Sequence, residues 1–364
     1  MALQIVFRTD ASRDIGTGHV MRCLSLARAL ARDNVDVLFI CRTHDGHLCD
    51  LIEEQGFMVY RLPTPTYHFT PGVNPSHAAW LGATWQDDAD QTCSIIKGLS
   101  VKPAWLVVDH YALDSRWESL LRPLVGHVFV IDDLADRAHD CDLLLDQNLF
   151  ADLRTRYIGK VPENCHLLLG PEYALLQPTY AEFHDHIFPR SGPIQRIFIF
   201  FGGVDYDNLT GRALAAFLNL NRHDIDVDVV IPHNNPDVSE IWDLVARCTN
   251  VHLYGNLPTL APLMASADLA IGAAGTTTWE RLCLGLPTLV VTLAENQREL
   301  AANLHREKLV WWIGHKDSVD SELIEKALNQ IINTPSVFDW SSHCLRTCDG
   351  LGVSRVECSL IYPP

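Results

Sequence analysis

A chain of 364 residues exceeds one ordinary domain, and two domains are expected. With 48% hydrophobic and 20% charged residues it has the composition of a soluble globular protein. Its 28 basic against 45 acidic residues give a net charge of −17, which argues against nucleic acid or anionic membrane as partner, since both need a basic surface. A small phosphate-bearing ligand remains compatible, because backbone N–H groups can hold it.

The 11 cysteines are scattered singly and form no C-x-x-C pair, so zinc and thioredoxin-like chemistry have no support. An odd count without a signal peptide fits reduced thiols in a cytosol, and no stretch approaches the roughly 18 uninterrupted apolar residues of a membrane span. The expectation is a soluble, cytoplasmic protein acting as a monomer.

In chain order, strands are predicted at Gln4–Arg8, Val35–Ile40, Ala104–Asp109 and Gly126–Ile131. Between the first two, Val20, Leu24, Ala27 and Ala31 recur at helical spacing, so Gly18–Arg32 reads as an amphipathic helix. Strand, helix and strand at this length imply a parallel βαβ unit. Leu62–Gly82 carries four prolines and reads as a long ordered loop. The polar, proline-bearing stretch "QPTYAEFHDHIFPRSGPIQR" reads as a linker. Beyond it, strands are expected at Ile194–Phe200, Ile225–Ile231, Val251–Tyr254, Asp268–Ile271, Pro287–Leu293 and Leu309–Ile313. Helices fit Asp207–Leu218, Thr259–Ala267, Thr276–Leu284 and Gln297–Lys308. The fold class is α/β, with two Rossmann-like domains, residues 1–186 and 187–364, whose parallel sheets face a central cleft with ligands at the carboxyl ends of the strands.

Four stretches carry chemistry. "GTGHVMR", Gly16–Arg22, follows the first strand, but Met21 stands where a dinucleotide fingerprint needs its third glycine, and no acidic residue obviously placed for a ribose ends the second strand. What remains is a glycine turn, including Gly18, that delivers His19 to the first turn of a helix. There the helix dipole disfavours imidazolium and suits the ring to act as a base. The bland alternative, a histidine capping or packing against the helix, is outweighed by the Gly-x-Gly-His context. "VVDHYALD" ends a strand in Asp109, His110 and Tyr111: Tyr111 could bond a sugar and Asp109 orient a neighbour, with structural hydrogen bonding equally open. Asp132 and Asp133 could bind a metal, but no second cluster completes a ligand set, and turn or capping roles are favoured.

In the second half, Gly202-Gly203 after a strand has the shape that holds a diphosphate, though such turns are common. It gains weight from the small-residue loop Gly272–Gly275, followed by a helix bearing Glu280 and by a strand ending near Glu295, Asn296 and Gln297. Glu280 could accept both ribose hydroxyls of a nucleotide; alternatively it is a surface charge paired with Arg281 or Arg298.

"FRTDASRDIGTGHVMR", "DHY", "FGGVDYDNL" and "WERLCLGLPTLVVTLAENQ" resemble the UDP-2,4-diacetamido-2,4,6-trideoxy-β-L-altropyranose hydrolases of pseudaminic acid biosynthesis. The resemblance runs through most of the chain, "GPEYALLQPTY" included; its carboxy-terminal part is shared with GT-B glycosyltransferases such as the peptidoglycan N-acetylglucosaminyltransferase. It implies a GT-B fold and hydrolysis without metal or cofactor, giving UDP and a free 6-deoxy sugar. The family's catalytic histidine falls on His19, and its sugar- or water-positioning residues on Tyr111 and Asn296. Its ribose-binding glutamate falls on Glu280 and its G-G-x-D loop on Gly202, Gly203 and Asp205. Gly18, Asp109, Thr276 and Gln297 complete the expected substrate site. The chain departs from the family at Leu62–Trp85, which compact members lack or shorten and which could cap the sugar site.

Two other functions compete. A glycosyltransferase would use the same donor site, but the net charge of −17 offers no basic patch for a lipid-linked acceptor. A non-catalytic sugar-nucleotide binding protein would tolerate any residue in place of His19.

Overall fold

The structure, a computed structural model, describes residues 3–32, 35–64, 77–203, 205–231, 235, 237–246, 248–255, 257–334 and 337–363. The expected loop Leu62–Gly82 therefore lies partly outside the described residues. The chain divides into two compact units, one of residues 1–175 with 351–364, the other of residues 176–350.

The first unit is built on a seven-stranded parallel sheet. Its strands are β1 (Gln4–Thr9), β2 (Asp36–Arg42), β3 (Met58–Leu62), β4 (Trp105–Asp109), β5 (His127–Ile131), β6 (Leu143–Asp146) and β7 (His166–Leu169), in the order β3-β2-β1-β4-β5-β6-β7. Both faces are covered, which is why the strands read as apolar runs rather than alternations. Ile5, Phe7, Phe39 and Val107 fill one core; Val6, Leu38, Ile40, Leu106 and Val108 fill the other.

The second unit repeats the plan with β8 (Arg196–Phe200), β9 (Asp226–Val230), β10 (Val251–Tyr254), β11 (Leu269–Ala273), β12 (Thr288–Thr292) and β13 (Trp311–His315), ordered β10-β9-β8-β11-β12-β13 and all parallel. In each sheet the chain winds outward from a central strand, then returns to that strand's other side. The reversal falls between β1 and β4 in one sheet and between β8 and β11 in the other. At such a reversal the loops leaving the carboxyl ends diverge and leave a crevice.

Two expectations about organisation are corrected. The stretch read as a linker is an ordered part of the second unit: Pro178–His184 is a helix, and Tyr180 is 1% exposed. Arg190 is buried, its guanidinium bonding the carbonyls of Ala267 (2.8 Å), Met264 (2.9 Å) and Leu284. Those carbonyls make a polar side chain an internal brace, so the division falls at 175/176 rather than 186/187. The carboxy-terminal helix, Gly352–Ile361, belongs to the first unit, where Val353, Val356 and Leu360 join the core and Trp105 Nε1 donates to the Leu360 carbonyl at 2.9 Å.

Candidate functional site

The first cluster grows from the loop between β1 and the helix Gly18–Arg32. Ser12 and Gly16 form an isolated antiparallel bridge, and the Ser12 hydroxyl accepts from the N–H groups of Asp14 and Ile15. Gly16 closes this turn at φ +80°, where a side chain would be strained. The turn sets Gly18 as the first helical residue and His19 one position later.

His19 Nδ1 lies 2.6 Å from Asp109 Oδ1, at the end of β4. A carboxylate can only accept, so Nδ1 carries the proton in this contact. The 3.3 Å approach of Arg22 Nη2 to the same nitrogen is therefore not a second hydrogen bond. In the neutral ring the lone pair is then left on Nε2. Arg22, one turn further along the helix, clamps Asp109 through Nε and Nη2, both at 2.7 Å. Burial opposes ionisation of Asp109, but Arg22 and His19 overcome it and hold the carboxyl well below the usual range. Arg22 also reaches Asp133 Oδ2 at 2.9 Å, and the Tyr111 hydroxyl donates to the other oxygen of Asp133. The Tyr111 ring meets the His19 ring edge-on at 4.6 Å.

The structure thus brings Gly18, His19, Asp109 and Tyr111 together and adds Arg22 and Asp133, which sequence reasoning did not place here. Arg22 carried a signal: it stands three residues after His19, on the same helical face. The Tyr111 hydroxyl, expected to face a sugar, is bound to Asp133. The turn role holds for Asp132, which accepts from Ala135 N at 2.9 Å and pairs with Arg137 at 2.8 Å. For Asp133 it does not, because its carboxylate is turned to Arg22 and Tyr111. His110 faces away from this cluster: Nε2 approaches Asp10 Oδ2 at 3.3 Å, within a buried ionic network in which Arg8 joins Asp10 (2.6 Å) to Asp88 (2.7 Å). Among the described residues, no group of three or more His, Cys, Asp and Glu side chains could hold a metal ion.

The second cluster lies at the carboxyl ends of β8, β11 and β12, three neighbouring strands. Gly202, at φ +101°, and Gly203 leave β8. Asp205, expected to touch ligand, instead spends its two oxygens on Leu209 N (2.9 Å) and Thr210 N (2.8 Å), capping the helix Leu209–Asn219. It shapes the glycine turn from its helix side. Gly272 belongs to β11, and a Cβ there would lie 2.5 Å from Arg281 Nη1. Arg281 is buried, which lowers it to about 10, and braces the loop through the Ala273 carbonyl at 2.6 Å and the Thr278 hydroxyl at 3.1 Å.

Thr276 precedes the short helix Thr277–Cys283, which carries Glu280. Burial raises the Glu280 carboxyl to about 7, against the Tyr180 hydroxyl and Arg281, which favour its ionised form. Its Oε2 is buried without any hydrogen-bond partner. The surface-pair alternative therefore fails: the Arg281 guanidinium bonds the Ala273 carbonyl and the hydroxyls of Thr277 and Thr278, and Arg298 pairs with Glu295 at 2.8 Å. Asn296 opens the helix Asn296–Arg306, and Gln297 Oε1 accepts from Leu293 N at 2.8 Å, closing the turn after β12. Tyr180 escaped sequence reasoning because it sits in the supposed linker.

Two parallel α/β sheets, each with its polar residues at the topological reversal, define the fold as GT-B. Residues 197–339 match the glycosyltransferase family 28 C-terminal domain. An uncharacterised protein of Methanocaldococcus jannaschii is 26% identical over 82% of this chain, which spans only 57% of that relative's length. The UDP-2,4-diacetamido-2,4,6-trideoxy-beta-L-altropyranose hydrolase of Campylobacter jejuni is 25% identical over 84% of this chain and 97% of its own. The crystal structure of UGT89C1 of Arabidopsis thaliana, complexed with UDP-L-rhamnose, matches 99% of both chains at a TM-score of 0.64 and 11% identity. No helix among the described residues is long and apolar enough to cross a membrane.

Proposed function

We propose that the protein hydrolyses a UDP-linked 2,4-diacetamido-2,4,6-trideoxy sugar, of the UDP-β-L-altropyranose type, to UDP and free sugar in pseudaminic acid biosynthesis. The observation that carries this reading is the 2.6 Å contact between His19 Nδ1 and buried Asp109 beside the sheet reversal. It fixes the ring and leaves Nε2 as the nitrogen able to take a proton. In the proposed step, water loses a proton to His19 Nε2 while its oxygen bonds the anomeric carbon. The bond from that carbon to the diphosphate oxygen breaks, and its electron pair leaves with UDP. No carboxylate stands out as a covalent nucleophile, so a single displacement with inversion follows. No metal or cofactor enters the step.

The second unit is assigned the nucleotide: Gly202 and Gly203 the diphosphate, Glu280 the ribose hydroxyls, with Thr276, Asn296 and Gln297 around them. The unpartnered Oε2 of Glu280 supports this, because a buried acceptor without a donor is costly unless a ligand supplies one. The similarity to the Campylobacter jejuni hydrolase supports the choice of sugar. The match to a glycosyltransferase domain favours a second reading, transfer of the sugar to an acceptor other than water.

One experiment separates them. Purified protein is incubated with the UDP-sugar and no acceptor, and UDP is followed. Hydrolysis gives steady release, which His19→Asn lowers about 10²–10⁴-fold with UDP affinity retained. Absence of release until an acceptor is added establishes transfer, and near-normal turnover in His19→Asn removes the base.

A further inference from the structure

Beside the His19 cluster stands a group of aromatic rings that the proposed reaction leaves unused. The short 3-10 turn Ala78–Leu81 is pinned by Leu81, which is 2% exposed, and ends at Gly82 in the left-handed region with φ +65°. Thr84 then caps the next helix, Trp85–Gly98, by accepting from Asp87 N at 3.0 Å. With both ends anchored, the residues ahead of Leu81 are held over Tyr111. The Trp80 ring stacks on Tyr111 at 5.6 Å and 26°. His77 packs edge-on against Trp80 at 4.5 Å and against Tyr111 at 5.3 Å. Tyr111 is in turn the ring that meets His19.

Tyr111 and His19 are buried, whereas Trp80 and His77 are half-buried. Burial lowers the His77 pKa, so His77 itself adds no charge here at neutral pH; charges close by include Asp133, bonded to the Tyr111 hydroxyl, and the Arg137 guanidinium, 5.9 Å from the Tyr111 ring. The faces of these rings suit C–H bonds and methyl groups, and a hydroxyl laid against a ring face loses its hydration without a partner in return. Resting on the hydrolase reading, we propose that Trp80, backed by His77 and Tyr111, is a specificity-determining residue. It recognises the apolar face of an N-acylated 6-deoxy hexose and disfavours sugars carrying hydroxyls there. Trp80 lies outside the four stretches that carry the resemblance to the hydrolases.

The test reads binding rather than turnover. In His19→Asn protein, calorimetry gives the affinities for UDP, for the UDP-linked diacetamido trideoxy sugar and for UDP-N-acetylglucosamine. Trp80→Ala in that background is expected to weaken the deoxy sugar nucleotide roughly tenfold, the scale of one aromatic contact. UDP should be unaffected and UDP-N-acetylglucosamine altered by less than about threefold on the same grounds. Trp80→Phe should restore most of the loss, and unchanged UDP affinity shows the variants to be folded. Equal affinity for the deoxy sugar nucleotide with and without Trp80, or an equal loss for both sugars, overturns the proposal. Failure of the hydrolase reading registers separately, as absent UDP release by the wild-type protein.

Discussion

Asp109→Asn isolates the role of the His19 partner. The carboxylate accepts from His19 Nδ1 at 2.6 Å and from Arg22 Nε and Nη2 at 2.7 Å. Asparagine keeps the volume but has one acceptor oxygen. Arg22 can only donate, so it captures that oxygen and turns the amide NH2 toward His19 Nδ1. Nδ1 must then accept, Nε2 takes the proton, and the base is lost although the ring has not moved. The expected fall in kcat is about 10²–10⁴-fold, the usual contribution of general base catalysis, with UDP affinity retained. Stability also falls. Removing one member of a buried pair costs about 3–5 kcal/mol, and the low end applies because Arg22 keeps Asp133 at 2.9 Å. For a unit of this size about 3 kcal/mol lowers Tm by roughly 6–12 °C, so kinetics belong well below the melt. UDP release measured at saturating substrate, with UDP binding by calorimetry, checks both parts. Turnover within about threefold of wild type would refute the tautomer argument, since general base loss cannot be that small.

Four further outcomes follow from the two clusters and the proposed step. Glu280 is raised to about 7 in the folded protein, so it costs stability as pH rises from the ordinary carboxyl range through 7, and Glu280→Gln should raise Tm more at pH 8 than at pH 5, by up to about 3 kcal/mol equivalent. The same variant should bind UDP about tenfold or more weakly, the worth of a charge-assisted hydrogen bond, and unchanged affinity by calorimetry would detach Glu280 from the ribose. Hydrolysis in ¹⁸O-water should place the label on the sugar C1 hydroxyl, with the first-formed anomer inverted as read by NMR; label in UDP would mean attack at phosphorus. Excess chelator should leave the rate unaltered, and inactivation reversed by a divalent ion would contradict the metal-free step.

Much of this was legible in the sequence because it is local. The first strand, the glycine turn and the helix bearing His19 lie within 29 residues, Gln4–Arg32, and carry their own periodicity. The strands of the second unit are largely apolar runs bounded by turns, and the expected spans fall within two residues of the observed elements. What escaped was mostly short or distant, but the helices Trp85–Gly98 and Ser321–Ile332, capped by Thr84 and Asp320, were also passed over. Strands β6 and β7 are four residues each, too brief for a pattern, and β3 is half exposed. Arg22 and Asp133 lie 111 residues apart, and no local signal links them. Tyr180 and Arg190 sit in a polar, proline-bearing stretch whose surface-like composition hides the fact that backbone carbonyls satisfy the arginine. Asp205 was ambiguous for the opposite reason: an aspartate after two glycines suits both a ligand loop and a helix cap, and the 2.9 and 2.8 Å contacts show the cap.

The return of helix Gly352–Ile361 to the first unit has a consequence for synthesis. Residues 176–350 form one uninterrupted run, so the second unit has all its parts as soon as they leave the ribosome. The first unit does not. Its apolar groove stays open until Val353, Val356 and Leu360 emerge, after the whole second unit has been made. Domains usually mature in the order of translation. Here the amino-terminal half is begun first and closed last, and for that interval the nascent chain offers chaperones an uncovered hydrophobic face beside the helix that carries His19.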